Sequence, residues 1–195
     1  MKGTHMKQTS VMIVGVGGQG TLLASRILGA AFLSQDYDVK VSEVHGMSQR
    51  GGSVVTYVKF GENIASPIID EGEADYILAF EQLEAARWLP YLKPGGKLIV
   101  NTQRIDPMPV ITGAAEYPAG IARALAAAGA HVQAVDALGL AREAGSAKAV
   151  NVVLLGALAK QMDIPREVWL GAVRGTVKPQ FTEMNLKAFE MGCAA

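Results

Sequence analysis

A chain of 195 residues, half of them apolar, is long enough to bury one substantial core. Its 18 Lys and Arg balance 18 Asp and Glu, which excludes the basic footprint of a nucleic-acid binder, and no apolar run approaches the length of a membrane span. The one cysteine, Cys193, excludes an internal disulfide, a CxxC metal site and a four-cysteine cluster.

Met1 to His5 has no secretory character and reads as a leader before a natural start at Met6, leaving 6–195 as one cytoplasmic domain. Ser10 to Val14 is short, apolar and rich in β-branched residues, which predicts a buried first strand. Leu22, Leu23, Ile27, Ala30 and Ala31 recur at helical spacing and predict a helix from about Gly18 to Ser34. Val39 to Val41 is a second strand and Ser53 to Phe60 a third. The aperiodic stretch between them is too short for a parallel crossover, so the third strand runs antiparallel to the second.

Further on, Ala74 to Phe80 reads as a strand and Glu81 to Leu92 as a helix stopped by Lys93-Pro94-Gly95-Gly96. A strand follows at Lys97 to Thr102 and a loop at 107–113. A helix around Ile121 and Leu125 ends at Gly129, and His131 to Val135 is a strand. From Asp136 the pattern is helical, broken near Gly145, Pro165 and Pro179. Within it Val152 to Ala159 is apolar on every side and reads as a buried helix. Strands alternating with helices predict an α/β fold: three layers, α/β/α, on a mixed, mostly parallel sheet with a Rossmann-like start.

Two loops carry the chemistry. Gly15-Val16-Gly17-Gly18-Gln19-Gly20 fits G-x-G-x-x-G between a strand and a helix. In that pattern Gly15 permits the tight turn, Gly17 clears room for a ligand, and Gly20 lets helix and strand pack closely. The helix amides beyond it suit an anion. The pattern also expects an acid about 20 residues on to hold a ribose, and Glu43 lies in that range. The extra Gly18 and the polar Gln19, however, stand where a small apolar residue commonly leads into the helix.

The second loop begins at Glu43 and runs through His45, Gly46, Met47, Gln49, Arg50, Gly51, Gly52 and Ser53. It packs acid, imidazole, amide and guanidinium groups between glycines, a density typical of loops that touch a ligand or partner. Arg50 offers a forked donor to a phosphate or carboxylate, and His45 is the candidate general base. An ordered turn that satisfies its own backbone is the plainer alternative. Elsewhere Glu81, Glu84 and Arg87 share neighbouring turns, as expected of a solvated or partner-facing ion-pair cluster. His131 reads as structural, Trp88 and Trp169 as packing or interface anchors, and Cys193 as an incidental thiol. No His, Cys, Asp and Glu set has metal-ligand spacing.

GVGGQG followed by EVHGMSQRGGSV resembles the gamma subunits and gamma domains of the 2-oxoacid:ferredoxin oxidoreductases. The resemblance continues through AFEQLEAARWLPYLKPGG at 79–96, NT…P at 101–109, Tyr117-Pro118, NVVLLGAL at 151–158 and FTEMNLKAFEMG at 181–192. The P…YP segment resembles the indolepyruvate-using branch. This resemblance implies a subunit of a complex that decarboxylates arylpyruvates oxidatively with coenzyme A, giving aryl-acetyl-CoA, carbon dioxide and reduced ferredoxin. It also implies that thiamine diphosphate, magnesium and 4Fe–4S clusters sit on a large alpha subunit and none on this chain. The isolated chain is then inactive, with a homo-oligomer as an alternative state. The glycine loop would serve as a tight turn or a phosphate or coenzyme A contact, and the 43–53 segment as an active-site or interface loop. A self-sufficient NAD-binding dehydrogenase, a subunit for another 2-oxoacid and a purely structural assembly subunit remain as alternatives.

Overall fold

The computed structural model describes residues 8–44 and 52–195. The first strand, β1 (Thr9–Val16), is buried on both faces, as expected of a central strand rich in valine and isoleucine. It leads into α1 (Thr21–Leu33), which starts later than the sequence predicts. Gly18 and Gly20 have φ of 100° and 84°, outside the helical region, so the loop ends only at Gly20. Then follow β2 (Asp38–Val44), β3 (Ser53–Gly61), β4 (Ala74–Ala79) and α2 (Gln82–Trp88).

The predicted long helix after β4 is cut short. Pro90 sits in a 3-10 turn, Leu89–Tyr91, and β5 (Leu92–Asn101) begins there rather than at Lys97. Between Ala74 and Tyr76 of β4 the β5 register slips from Leu92 to Lys97, so Lys93 to Gly96 is an irregularity inside a strand. The loop at 107–113 contains a helical turn, α3 (Met108–Ile111). The remaining elements follow the predicted order: α4 (Ile121–Ala127), β6 (His131–Val135), α5 (Ala137–Ala144), α6 (Val150–Ala159), α7 (Arg166–Thr176) and α8 (Thr182–Ala194). His131 opens β6 with an exposed side chain.

The described residues form a six-stranded sheet of order β2-β3-β1-β4-β5-β6. β3 pairs antiparallel with both β2 and β1, while β1, β4, β5 and β6 pair in parallel. The predicted mixed, mostly parallel sheet is therefore observed. Alternate residues of β1 feed two cores. Val11 and Ile13 pack with α1, α5, α6, α7 and α8, whereas Met12 and Val14 pack with residues of α2 and α4. Helices cover both faces, in three layers.

Every residue of α6 is buried, which explains why its sequence lacks a polar face. Its backbone touches that of α8. A Cβ at Gly156 would stand 2.1 Å from the Phe189 carbonyl oxygen, and one at Gly192 would stand 1.9 Å from that of Val153. Trp169 anchors α7 in the same core, 1% exposed and edge-on to Phe32. Because backbone rather than side chain blocks the space, Gly192→Ala must separate two helices. It should cost about 1–3 kcal/mol or more, read from urea unfolding. Gly171→Ala, at an exposed position of α7 with nothing near its added methyl, should be neutral or gain up to about 1 kcal/mol.

Candidate functional site

β1 and β4 end side by side, and the helices that follow them diverge, α1 to one face and α2 to the other. That divergence opens a crevice beyond the carboxyl ends of the strands, where open α/β sheets bind ligands. Because β3 runs antiparallel, its first residue, Ser53, faces this edge beside Val16. Val44 and Gly52, which flank the 45–51 segment, lie at the same edge. His45, Gly46, Met47, Gln49, Arg50 and Gly51 themselves lie outside the described residues.

The glycine loop forms the predicted turn, with a different division of labour. A Cβ on Gly15 would meet Phe80 at 2.9 Å, so this glycine lets β1 approach the end of β4. Gly20 caps α1 with a left-handed backbone. A Cβ there would lie 2.7 Å from Asn151 Nδ2, which donates to the Gly20 carbonyl at 3.1 Å. The third glycine therefore admits α6 rather than bringing its own helix onto the strand. Gln19, which looked merely out of place in the motif, bridges the crevice. Its Oε1 accepts from Val16 N–H at 2.8 Å and its Nε2 donates to the Phe80 carbonyl at 2.9 Å. Gly17 N–H donates to the Gly52 carbonyl at 2.9 Å. Two amides that a phosphate loop would aim at its ligand are thus engaged within the protein.

Glu43 is not where a dinucleotide needs it. In the usual arrangement the acid-bearing strand adjoins β1. Here β3 lies between them, moving β2 out by a second strand spacing, about 10 Å in all. Glu43 instead accepts from Ser25 of α1 at 3.2 Å.

The crevice holds a cleft of about 320 Å³. Val16, Leu83, Ile105, Pro107, Met108 and Pro109 form its apolar walls, and Gly52, Ser53, Glu81, Glu84 and Arg87 its polar side. Glu81 is 1% exposed, which corrects the expectation of a solvated cluster. Its Oε2 caps α2, accepting from Leu83 N–H at 2.6 Å and Glu84 N–H at 3.1 Å. Its Oε1 accepts from Tyr117 Oη and from Ile105 N–H at 3.2 Å, so one buried carboxylate ties down the 102–120 segment at two points. Burial, then the bond to Glu81, pushes the Tyr117 phenol well above its usual pKa and keeps it a donor. Arg104 lies over the Tyr117 ring, 4.3 Å from its centre.

Glu84, 4% exposed, accepts from Ser53 Oγ through Oε2 and from Arg87 Nε at 3.2 Å through Oε1. Trp88 Nε1 donates to Ser53 Oγ at 3.4 Å, an anchoring role in keeping with the sequence. The expected Glu84–Arg87 ion pair is present, with its acid buried. Glu81 and Tyr117 escaped residue-level reading as a pair because 36 residues separate them. The available signal was an acid placed directly after an apolar parallel strand, where sheet ligands bind.

Among the described residues no three His, Cys, Asp or Glu side chains could hold a metal. Cys193 donates to the Gly156 carbonyl at 3.4 Å, and burial pushes its thiol up to about 11, as suits an inert packing group. None of the described helices is long and apolar enough to cross a membrane.

Residues 10–195 match the model of the pyruvate ferredoxin/flavodoxin oxidoreductase family. The chain belongs to this family. Indolepyruvate oxidoreductase subunit IorB of Thermococcus kodakarensis is 44% identical, over 97% of this chain and 96% of that protein. The protein of the same name from Pyrococcus horikoshii is equally similar, with the same coverage. The keto/oxoacid ferredoxin oxidoreductase gamma subunit of Geobacter sulfurreducens shares the fold at 25% identity and a TM-score of 0.71, over 96% of this chain and 99% of that one. The family resemblance read in separate blocks of sequence has a spatial counterpart: Gly15 meets Phe80 and Gly20 meets Asn151, so blocks far apart in the chain converge on one edge.

Three outcomes follow. Titration with NADH should give no saturable fluorescence change at micromolar concentration, and Gly17→Val should leave that result unaltered. Glu81→Ala, which removes a helix cap and strands two donors, should destabilise the chain by about 2–4 kcal/mol in denaturant unfolding. Tyr117→Phe, which removes one bond to a carboxylate, should cost about 1.5–3 kcal/mol.

Proposed function

We propose that this chain is the subunit without redox cofactors of an arylpyruvate (indolepyruvate):ferredoxin oxidoreductase, working in the cytoplasm with a large alpha subunit. The complex would convert an arylpyruvate and coenzyme A to aryl-acetyl-CoA and carbon dioxide, passing electrons to ferredoxin. The observation that carries this reading is the end-to-end likeness, at 44% identity, to two proteins named indolepyruvate oxidoreductase subunit IorB. A dehydrogenase reading fits poorly with the engaged loop amides and the displaced Glu43.

Thiamine diphosphate with magnesium and 4Fe–4S clusters supply decarboxylation and electron transfer in such a complex. The residues of this chain do not suit a cluster: its one cysteine cannot hold one. The contribution of this chain is positional. Its carboxyl-end cleft faces the partner and shapes an organic ligand, while Arg50 of the 43–53 segment is the residue suited to an anionic group of substrate or coenzyme A. His45 is the residue of that segment suited to moving a proton.

Reconstitution with the large subunit tests both levels. The mixture should reduce ferredoxin only with arylpyruvate and coenzyme A together, and neither subunit should do so alone. Arg50→Ala should slow this turnover roughly ten- to a hundredfold, as expected for a lost bond to a charged group. Arg50→Lys, which keeps charge but not the fork, should rescue only in part. The melting temperature of the isolated chain should stay close to wild type in both. Unfolding of Arg50→Ala would make the loop a structural turn, and unchanged turnover would remove Arg50 from the site.

A further inference from the structure

The cleft at the carboxyl edge has a chemical polarity that restricts what can enter it. Its walls, with Leu83, Ile105 and Met108 among them, are apolar and suit a flat hydrophobic group. Its volume of about 320 Å³ lies at the lower end of the range for small-molecule sites. The charged lining comprises two buried carboxylates, Glu81 and Glu84, and one guanidinium, Arg87, whose Nε is already on Glu84. An anionic end is therefore repelled by the two acids and met instead by Arg87, whose half-exposed side chain keeps its Nη donors toward solvent at the mouth.

Around Glu84 and Ser53, away from the exposed Arg87 tip, hydrogen-bonding capacity is also one-sided. Glu84 offers two oxygens with about four lone-pair directions, of which Ser53 Oγ and Arg87 Nε each fill one. Ser53 Oγ accepts weakly from Trp88 and gives its own proton to Glu84. Acceptors remain in excess beside a greasy wall. The ligand best matched is an uncharged flat ring that carries an N–H or O–H donor at its edge.

We propose that this cleft receives the ring end of the arylpyruvate, with Glu84 and Ser53 accepting the ring's N–H or O–H and the 2-oxoacid end left at the mouth. This assignment rests on the arylpyruvate reading above and makes this chain a determinant of specificity. It favours indolyl and hydroxyphenyl side chains over phenyl, because a ring without a donor leaves the remaining acceptor directions of Glu84 and Ser53 without a partner in place of water.

The test uses the reconstituted complex and compares kcat/KM for indolepyruvate and phenylpyruvate. Ser53→Ala and Glu84→Gln should each lower the indolepyruvate:phenylpyruvate ratio, Glu84→Gln by roughly tenfold and Ser53→Ala by severalfold. Ser53 lies at an exposed strand start, so its variant keeps the test valid if Glu84→Gln fails to fold. An unchanged ratio in folded, assembled Ser53→Ala overturns the proposal, as do equal losses on both substrates. Equal losses accompanied by a raised KM for coenzyme A would instead place that co-substrate's amide chain in the cleft. If the wild-type complex turns over no arylpyruvate at all, the functional reading falls and the ring assignment with it. An active wild type with an unaltered ratio removes only the ring assignment.

Discussion

Eight consecutive residue pairs, from Thr9 opposite Phe60 to Val16 opposite Ser53, join β3 to β1 in antiparallel register. Much of the functional edge depends on this ladder. It places Ser53 beside the glycine loop and brings Gly52 within reach of Gly17 N–H. It also sends β2 to the rim of the sheet and carries Glu43 away from the position a dinucleotide would require. A one-residue slip would turn every β3 side chain to the opposite face, and Val58 and Phe60 on one core with Val55 on the other make such a slip costly.

The strand ends at this edge are joined by side-chain amides. The Phe80 carbonyl accepts from both Gln19 Nε2 and Asn101 Nδ2, and Asn101 Oδ1 accepts from Ala137 N–H at 3.3 Å. One line of side-chain amides thus connects the ends of β1, β4 and β5 to the start of α5. Asn101 is fully buried, where a satisfied polar network rigidifies its surroundings. Glu81 extends the scaffold outward by fixing the 102–120 segment, so a cleft wall made of loop is tethered to a strand end.

Much of the architecture was legible because it rests on local rules. The β-branched run of β1, the apolar octet inside α6 and the short link before β3 dictate a buried strand, a buried helix and an antiparallel return. What escaped depends on contacts between distant residues. Gln19 looks like a flaw in a phosphate motif until Phe80, 61 positions away, appears at its amide. Glu81, Glu84 and Arg87 look like a surface ion-pair set because helical spacing says nothing about the segment that covers them. The boundary at Leu92 was missed because a strand that absorbs a Pro-Gly-Gly irregularity resembles a turn. For the 43–53 segment, sequence places Arg50 and His45 together, while the described geometry reaches only its flanks, Glu43, Gly52 and Ser53.

The all-round burial of α6 has a consequence for how the chain acquires its shape. A helix that is apolar on every side is no one's surface, and α8 supplies part of its cover, backbone against backbone at Gly156 and Gly192. Before α8 docks, a folding chain carries an exposed greasy rod beside the sheet, the kind of species that chaperones bind and that aggregates when they are scarce.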